Sequence, residues 1–227
     1  RNSSTLAEAE AAVRRGVHGR ASSPVVLHLD ETWFSDAEIE FVCGLLRAGR
    51  HTLRKVSISK ARLRDAGVAK IAAALATCVW LEDVDVSGNA ITDVGCVLVC
   101  ESLAWLPHLK RLAMGEHRAV SDASVAALID LVRARAGTLE ELCVSGCSFT
   151  DAGANALVRA ARDCHSHVLA CLDIVRGADL TLTSAGVARA VRAWVEFSPM
   201  LARTLRLETT PWARWQLVAE SNRVARF

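Results

Sequence analysis

One short pattern returns six times along this chain, and it constrains the fold more than any compositional total. Its plainest copy is LEDVDVSGNAITDVG, from Leu81 to Gly95. LRKVSISKARLRDAG begins at Leu53, and LEELCVSGCSFTDAG begins at Leu139. LKRLAMGEHRAVSDAS begins at Leu109 with one extra residue, and LACLDIVRGADLTLTSAG begins at Leu169 with three. A degenerate copy, PVVLHLDETWFSDAE, begins at Pro24. The starts at 24, 53, 81, 109, 139 and 169 are spaced 28 to 30 residues apart. A fixed period in this range marks a solenoid, because one such unit cannot bury its apolar face alone and stacked units can.

Each unit has two halves. The first places apolar residues at Leu81, Val84 and Val86, at Leu109, Leu112 and Met114, and at Leu139, Leu142 and Val144. The last two positions of each trio alternate, as a strand requires. The second half opens on a hydroxyl–aspartate pair: Ser35-Asp36, Thr92-Asp93, Ser121-Asp122 and Thr150-Asp151. Such side chains accept hydrogen bonds from the free N–H groups of a helix's first turn. Runs such as VAKIAAAL and ANALVRAA then follow at helical spacing. The spacing predicts strands near residues 26–29, 54–58, 82–86, 110–114, 140–144 and 170–174, each followed by a helix.

A solenoid's ends need caps. Thr5 and Glu8 have capping-box spacing and Gly16 suits a stop, which predicts a short helix over 6–15. At the other end TLRLE, Thr204 to Glu208, reads as a seventh strand. Beyond it Thr210 and Pro211 fit a helix start, with Trp212, Trp215 and Val218 on roughly one face. The expected division is an N-terminal capping helix over 1–23, a repeat array over 24–196, and a Trp-rich cap or docking segment over 197–227. Trp194, Phe197, Met200, Leu201, Trp212, Trp215 and Phe227 give this region the chain's densest set of large apolar side chains.

The repeated Leu-x-x-Val-x-Val-x-x-Asn of Leu81 to Asn89 resembles the leucine-rich repeat family, most closely its ribonuclease-inhibitor-like class. The likeness covers roughly residues 24 to 190. It implies an α/β solenoid: a curved horseshoe of about six repeats plus caps, with parallel strands on the concave face and helices on the convex face. The family's asparagine position holds Asn89 and, as the family permits, Cys147. Thr32, Ala61, His117 and Gly177 stand there in the other repeats, so no regular asparagine ladder is expected.

In that fold the residues between the buried apolar positions face the concavity. One row reads Val26, Lys55, Asp83, Arg111, Glu141, Cys171, and the next His28, Ser57, Asp85, Ala113, Cys143, Asp173. Neighbouring strands lie ~4.8 Å apart. Lys55, Asp83, Arg111 and Glu141 therefore make a ladder of alternating sign, in which each exposed pair contributes at most ~1 kcal/mol. The ladder is either self-satisfied or a recognition strip. The candidate protein-binding residues are Lys55, Asp83, Asp85, Arg111, Glu141 and Asp173, with Trp212 and Trp215 on the tail.

Other chemistries find little footing. Cys143, Cys147, Cys164, His165, His167 and Cys171 lie close in sequence and invite a zinc reading. Repeat phase argues against it: Cys147 fills the asparagine slot, and Cys78 and Cys164 fall at the end of the repeat's helix. Cys78, Cys96, Cys147 and Cys164 are expected to be buried, reduced and metal-free. His28 and Asp30 could form a base and its orienter, but they lack a nucleophile. No Gly-rich phosphate loop or nucleophile elbow occurs. The expectation is a chain without catalysis, cofactor or metal.

The net charge is +2 and its basic residues are dispersed. The two concave rows lack the aromatic-basic interleaving of a nucleic-acid groove, and no membrane span is visible. No secretory signal is evident, so reduced thiols and an intracellular site, cytoplasmic or mitochondrial, are expected; Arg14, Arg15 and Arg20 faintly suggest a transit segment, which Glu8 and Glu10 oppose. Beginning at Arg1, the chain is expected to derive from a longer precursor. The reading is a protein-interaction scaffold, a subunit or adaptor of a larger assembly. The alternative is a regulatory module: a ubiquitin-ligase substrate adaptor, or the small-GTPase activation found in one branch of this class.

Overall fold

The computed structural model describes residues 2–18, 25–163 and 171–173. Six strands, β1 (Val25–His28), β2 (Leu53–Ser57), β3 (Asp83–Asp85), β4 (Arg111–Ala113), β5 (Glu141–Cys143) and β6 (Cys171–Asp173), form one parallel sheet in chain order. Parallel neighbours need a crossover. Helices α2 (Asp36–Ala48), α3 (Asp65–Leu75), α4 (Asp93–Leu103), α5 (Val125–Ala134) and α6 (Asp151–Asp163) supply it, each packed beside the next. Strands sit ~4.8 Å apart while packed helices need ~8–10 Å. The array therefore bends with its strands on the inner face.

Sequence phase and core agree. Leu81, Val84, Val86, Leu109, Leu112, Met114, Leu139, Leu142 and Val144 are each at most 1% exposed. They meet helix residues such as Ile71, Leu75, Leu103, Leu128 and Leu157 in one continuous core. The turn leaving each strand has its own rule. The second residue past the last core position is left-handed in every described repeat: Glu31 (φ 57°), Lys60 (53°), Gly88 (67°), Glu116 (63°) and Gly146 (75°). Glycine adopts that conformation without penalty. At position 88 it is needed twice over, because a Cβ there would stand 2.8 Å from Lys60 Cγ.

Asn89 stitches two such turns. Its amide oxygen accepts from the N–H groups of Ala61 (2.9 Å) and Leu63 (3.1 Å), and its nitrogen donates to the carbonyls of Ile58 and Val86, both at 2.8 Å. Ala61 cannot serve its own turn, so the next repeat does it.

The hydroxyl–aspartate pairs do more than cap. Ser35 and Glu38 form the expected capping box on α2. Thr92 caps α4, and Thr150 Oγ1 accepts from Ala152 N at 3.2 Å. Three aspartates at this position, Asp65, Asp93 and Asp122, reach into the following repeat. Asp65 accepts from Thr92 N (2.8 Å) and Thr92 Oγ1 (2.7 Å). Asp93 accepts from Ser121 N and Oγ, both at 2.8 Å. Asp122 accepts from Thr150 N (2.8 Å) and from its hydroxyl.

The glycine two residues past the aspartate makes room for this clamp. A Cβ at Gly95 would collide with Asp65 Oδ1, and one at Gly153 with Asp122 Oδ1. Ser124 occupies that slot in the fourth repeat, fully buried, and there the helix opens as a 3₁₀ turn over Asp122–Ser124. A tighter first turn accommodates the Cβ that Gly67, Gly95 and Gly153 lack.

One expected element is corrected. The first helix, α1, runs Asn2–His18, not 6–15. Thr5 lies inside it, and Ser4 Oγ donates to Glu8 at 3.2 Å in place of the expected capping box. Gly16 does not stop the helix. It lets α1 lie against β1, since a Cβ there would strike Val25 Cγ2. Leu6, Ala9 and Val13 are the buried face of α1. The expected strand at Thr204–Glu208 and the tail helix lie outside the described residues.

Gly95→Ala is expected to lower stability by ~1–3 kcal/mol through overpacking at the clamp. Gly137→Ala, with nothing within 4 Å of the added Cβ, should be neutral or slightly stabilising. Urea-unfolding midpoints of the two variants decide it; equal effects would refute the clamp's steric account.

Candidate functional site

The concave ladder forms as ion pairs. Lys55 Nζ lies 2.9 Å from Asp83 Oδ2, Arg111 Nη1 3.1 Å from Asp83 Oδ1, and Arg111 Nε 3.0 Å from Glu141 Oε2. Strand register makes these contacts, because Lys55, Asp83, Arg111 and Glu141 stand directly opposite one another in turn. Burial works to lower the Arg111 pKa, but Asp83, then Asp85 and Glu141, outweigh it and hold the guanidinium above its ordinary value.

A second row runs beside the first. Glu82 pairs with Arg54 (3.5 Å) and Lys110 (2.7 Å). Strand alternation alone hides this row, since neighbours should point to opposite faces. The residues lie at the irregular mouths of the strands, where Arg54 is the extra residue opposite the Val25–Val26 step. Successive repeats therefore present two cations, two anions, two cations and two anions: Arg54-Lys55, Glu82-Asp83, Lys110-Arg111 and Glu140-Glu141.

Asp85 lies opposite Ser57 and Ala113 and accepts from Ser87 N at 2.9 Å. Asp173 is placed opposite Cys143 in β6. Trp212 and Trp215 lie outside the described residues.

Asp30 takes Ser57 Oγ (2.6 Å) and Ser59 N (2.7 Å). Burial acts to raise its pKa; the two serines, then His28, outweigh burial and hold it below the ordinary value. His28 Nδ1 is 3.8 Å from Asp30 Oδ2, too far for a hydrogen bond. The Ser57 hydroxyl gives its proton to the carboxylate, not to the imidazole. The trio fastens β1 to β2 and does not activate a nucleophile.

The thiols follow repeat phase with one correction. Cys78 and Cys96 are buried, whereas Cys147 is half-buried, its thiol donating to Met114 O at 3.6 Å. Burial pushes Cys78 up to about 11 and Cys147 up to about 12. Contact with Cys96, then burial, raises Cys100 as well. Cys164 lies outside the described residues. Among the described residues, no three or more of His, Cys, Asp and Glu are grouped to hold a metal ion.

His117, in the asparagine slot, is 1% exposed. Its Nδ1 lies 2.9 Å from Asn89 O, so that nitrogen carries the proton and donates. Burial pushes its pKa down, against the raising effect of backbone carbonyls, and the ring is neutral in the fold.

The described architecture is an open parallel sheet in chain order, backed by one helix per repeat. It is the architecture of a strand–turn–helix solenoid. A model of the leucine-rich repeat matches residues 77–100 and 138–158, spans that contain β3 with Asn89 and β5 with Cys147. Two repeats of the chain thus match the leucine-rich repeat, a family whose repeat domains generally serve as protein-interaction modules. A search of curated proteins finds no match to the chain. No helix among the described residues is long and apolar enough to cross a membrane.

His117 makes a pH prediction. Its folded pKa is depressed below the unfolded ~6.5, so the unfolded chain binds the extra proton. Stability is full above that value and declines as pH falls through it toward the folded pKa. His117→Asn should abolish that decline, seen as a flatter plot of melting temperature against pH. Unchanged curvature would remove His117 from the account. The thiols make another: reagent at mildly alkaline pH should label Cys78 and Cys147 only on unfolding, as read by peptide mass spectrometry, and rapid labelling of the native chain would contradict it.

Proposed function

We propose that this chain is a non-catalytic scaffold, a subunit or adaptor of a larger intracellular assembly, cytoplasmic or mitochondrial. Its ribonuclease-inhibitor-like character is supported by the period of 28 to 30 residues and the helix in every described repeat. The proposed division is a capping helix over 1–23, an array over 24–196 and a tail over 197–227. The observation that carries the reading is the double row of charges held on a rigid sheet. Lys55, Asp83, Asp85, Arg111, Glu141 and Asp173 form the proposed recognition strip. Because most of these charges already satisfy one another, the strip sets a partner's register more than its affinity. Affinity comes from the Trp-rich tail, with Trp212 and Trp215 docking on the partner, since Trp is enriched at binding hot spots.

The test is recovery of a stoichiometric protein partner from the native cell, repeated with two variants. Asp83→Lys with Asp85→Lys should reduce recovery, and Trp212→Ala with Trp215→Ala should reduce it further, both with the fold retained. If the tryptophan variant melts lower while recovery stays unchanged, the tail is a cap alone. If neither variant changes recovery, the strip and tail are not the binding surface.

A further inference from the structure

The edge of the solenoid where each helix returns to the next strand is built from residues 49–52, 77–80, 105–108 and 135–138. None of these residues is acidic; they include Arg50, His51, His108 and Arg135, with Trp80 and Trp105. The opposite edge differs, mixing Glu31 and Glu116 with Lys60 and Arg118.

Two rings on this edge hold each other in place. Trp80 stacks flat on His108 of the next repeat, with centroids 4.7 Å apart and planes 5° from parallel. The Arg54 guanidinium lies 5.0 Å from the Trp80 ring, and its Nη1 donates to Trp80 O at 3.3 Å. Arg135 Nη1 donates to Leu106 O at 2.9 Å, which ties the next turn to the Trp105 turn. Apolar groups here face solvent: Val79 is 41% exposed, the fixed Trp80 ring 43% and Trp105 83%. Exposed aromatic and apolar groups gathered at one place mark an interaction site. Rigid rings also lose little entropy on binding.

We propose that this edge docks an acidic segment of a protein partner that also carries apolar anchors. The anchors pack on Val79, Trp80, Trp105 and His108, and the carboxylates meet Arg50 and His51. Charge complementarity selects this occupant, since the turns offer cations and rings and no acid. A single-stranded nucleic acid also stacks on tryptophan, but it needs an unbroken basic track. Glu82, Glu101 and Glu140 border this edge and interrupt one. The surface is separate from the concave strip, and the inference does not rest on that strip.

The probe is a short labelled peptide of alternating glutamate and leucine, compared by fluorescence anisotropy with its lysine–leucine counterpart and with labelled oligo-dT. The glutamate peptide should bind, weaken as salt rises, and exceed both comparators. Trp105→Ala and Arg50→Glu should each weaken it about tenfold, with an unchanged melting temperature for Trp105→Ala. Val94→Ala, at an exposed position of α4 outside both surfaces, should leave it unchanged. The proposal is overturned if the glutamate peptide fails to bind, if folded Trp105→Ala and Arg50→Glu bind it as well as the parent, if oligo-dT binds more tightly, or if Val94→Ala abolishes binding.

Discussion

The structure depends on a carboxylate that serves a neighbour. A helix N-terminus leaves backbone N–H groups without intrahelical partners, and a repeat can cap itself with its own hydroxyl. Here the hydroxyl and the N–H of the capping residue are both given to the aspartate of the preceding repeat: Thr92 to Asp65, Ser121 to Asp93, Thr150 to Asp122. Capping and stacking become one interaction. These seams close alongside strands paired in register, and the concave charges share that register. At the first seam Arg64 stands in the cap position without a side-chain bond. Asp30, Ser57 and Ser59 fasten those two repeats at the strand end instead.

The repeat phase made most of the fold legible. Three apolar positions per unit located every described strand within a residue or two, and the register of Lys55, Asp83, Arg111 and Glu141 followed directly. What escaped was whatever depends on the next repeat. The aspartates read as helix-start residues because a single unit contains no hint of their acceptor role, although the glycine two positions on was a usable signal for it. The Arg54, Glu82 and Lys110 row escaped because alternation assumes a regular strand, and these residues precede regularity. The span of α1 escaped because Gly16 reads as a terminator when its close neighbour, Val25, belongs to the next element, β1.

The electrostatics are local throughout. Asp83 is shared by two cations and Glu82 by two others, so the inner face carries many charges and little uncompensated field. A partner approaching that face meets a pattern, with sign changing at each strand, more than a potential. The edge bearing Trp80 and Trp105 has the opposite character: few charges, one sign within its turns, and rings in the open. The two surfaces discriminate by different physics, one by spacing and one by composition.

The clamp has a consequence for how such a chain can change length. Each of the three clamped seams uses the same two groups on one side and the same carboxylate on the other. Excising the unit from Thr92 to Val120 would bring Ser121 to Asp65 with both of its donors intact. The core trio would then pass from Leu81, Val84 and Val86 to Leu139, Leu142 and Val144 without a change of phase. Loss or duplication of a whole unit leaves the surviving joints chemically equivalent, whereas a deletion of any other size leaves one carboxylate without its donors. Evolution can therefore shorten or extend this chain in whole units more readily than it can trim one.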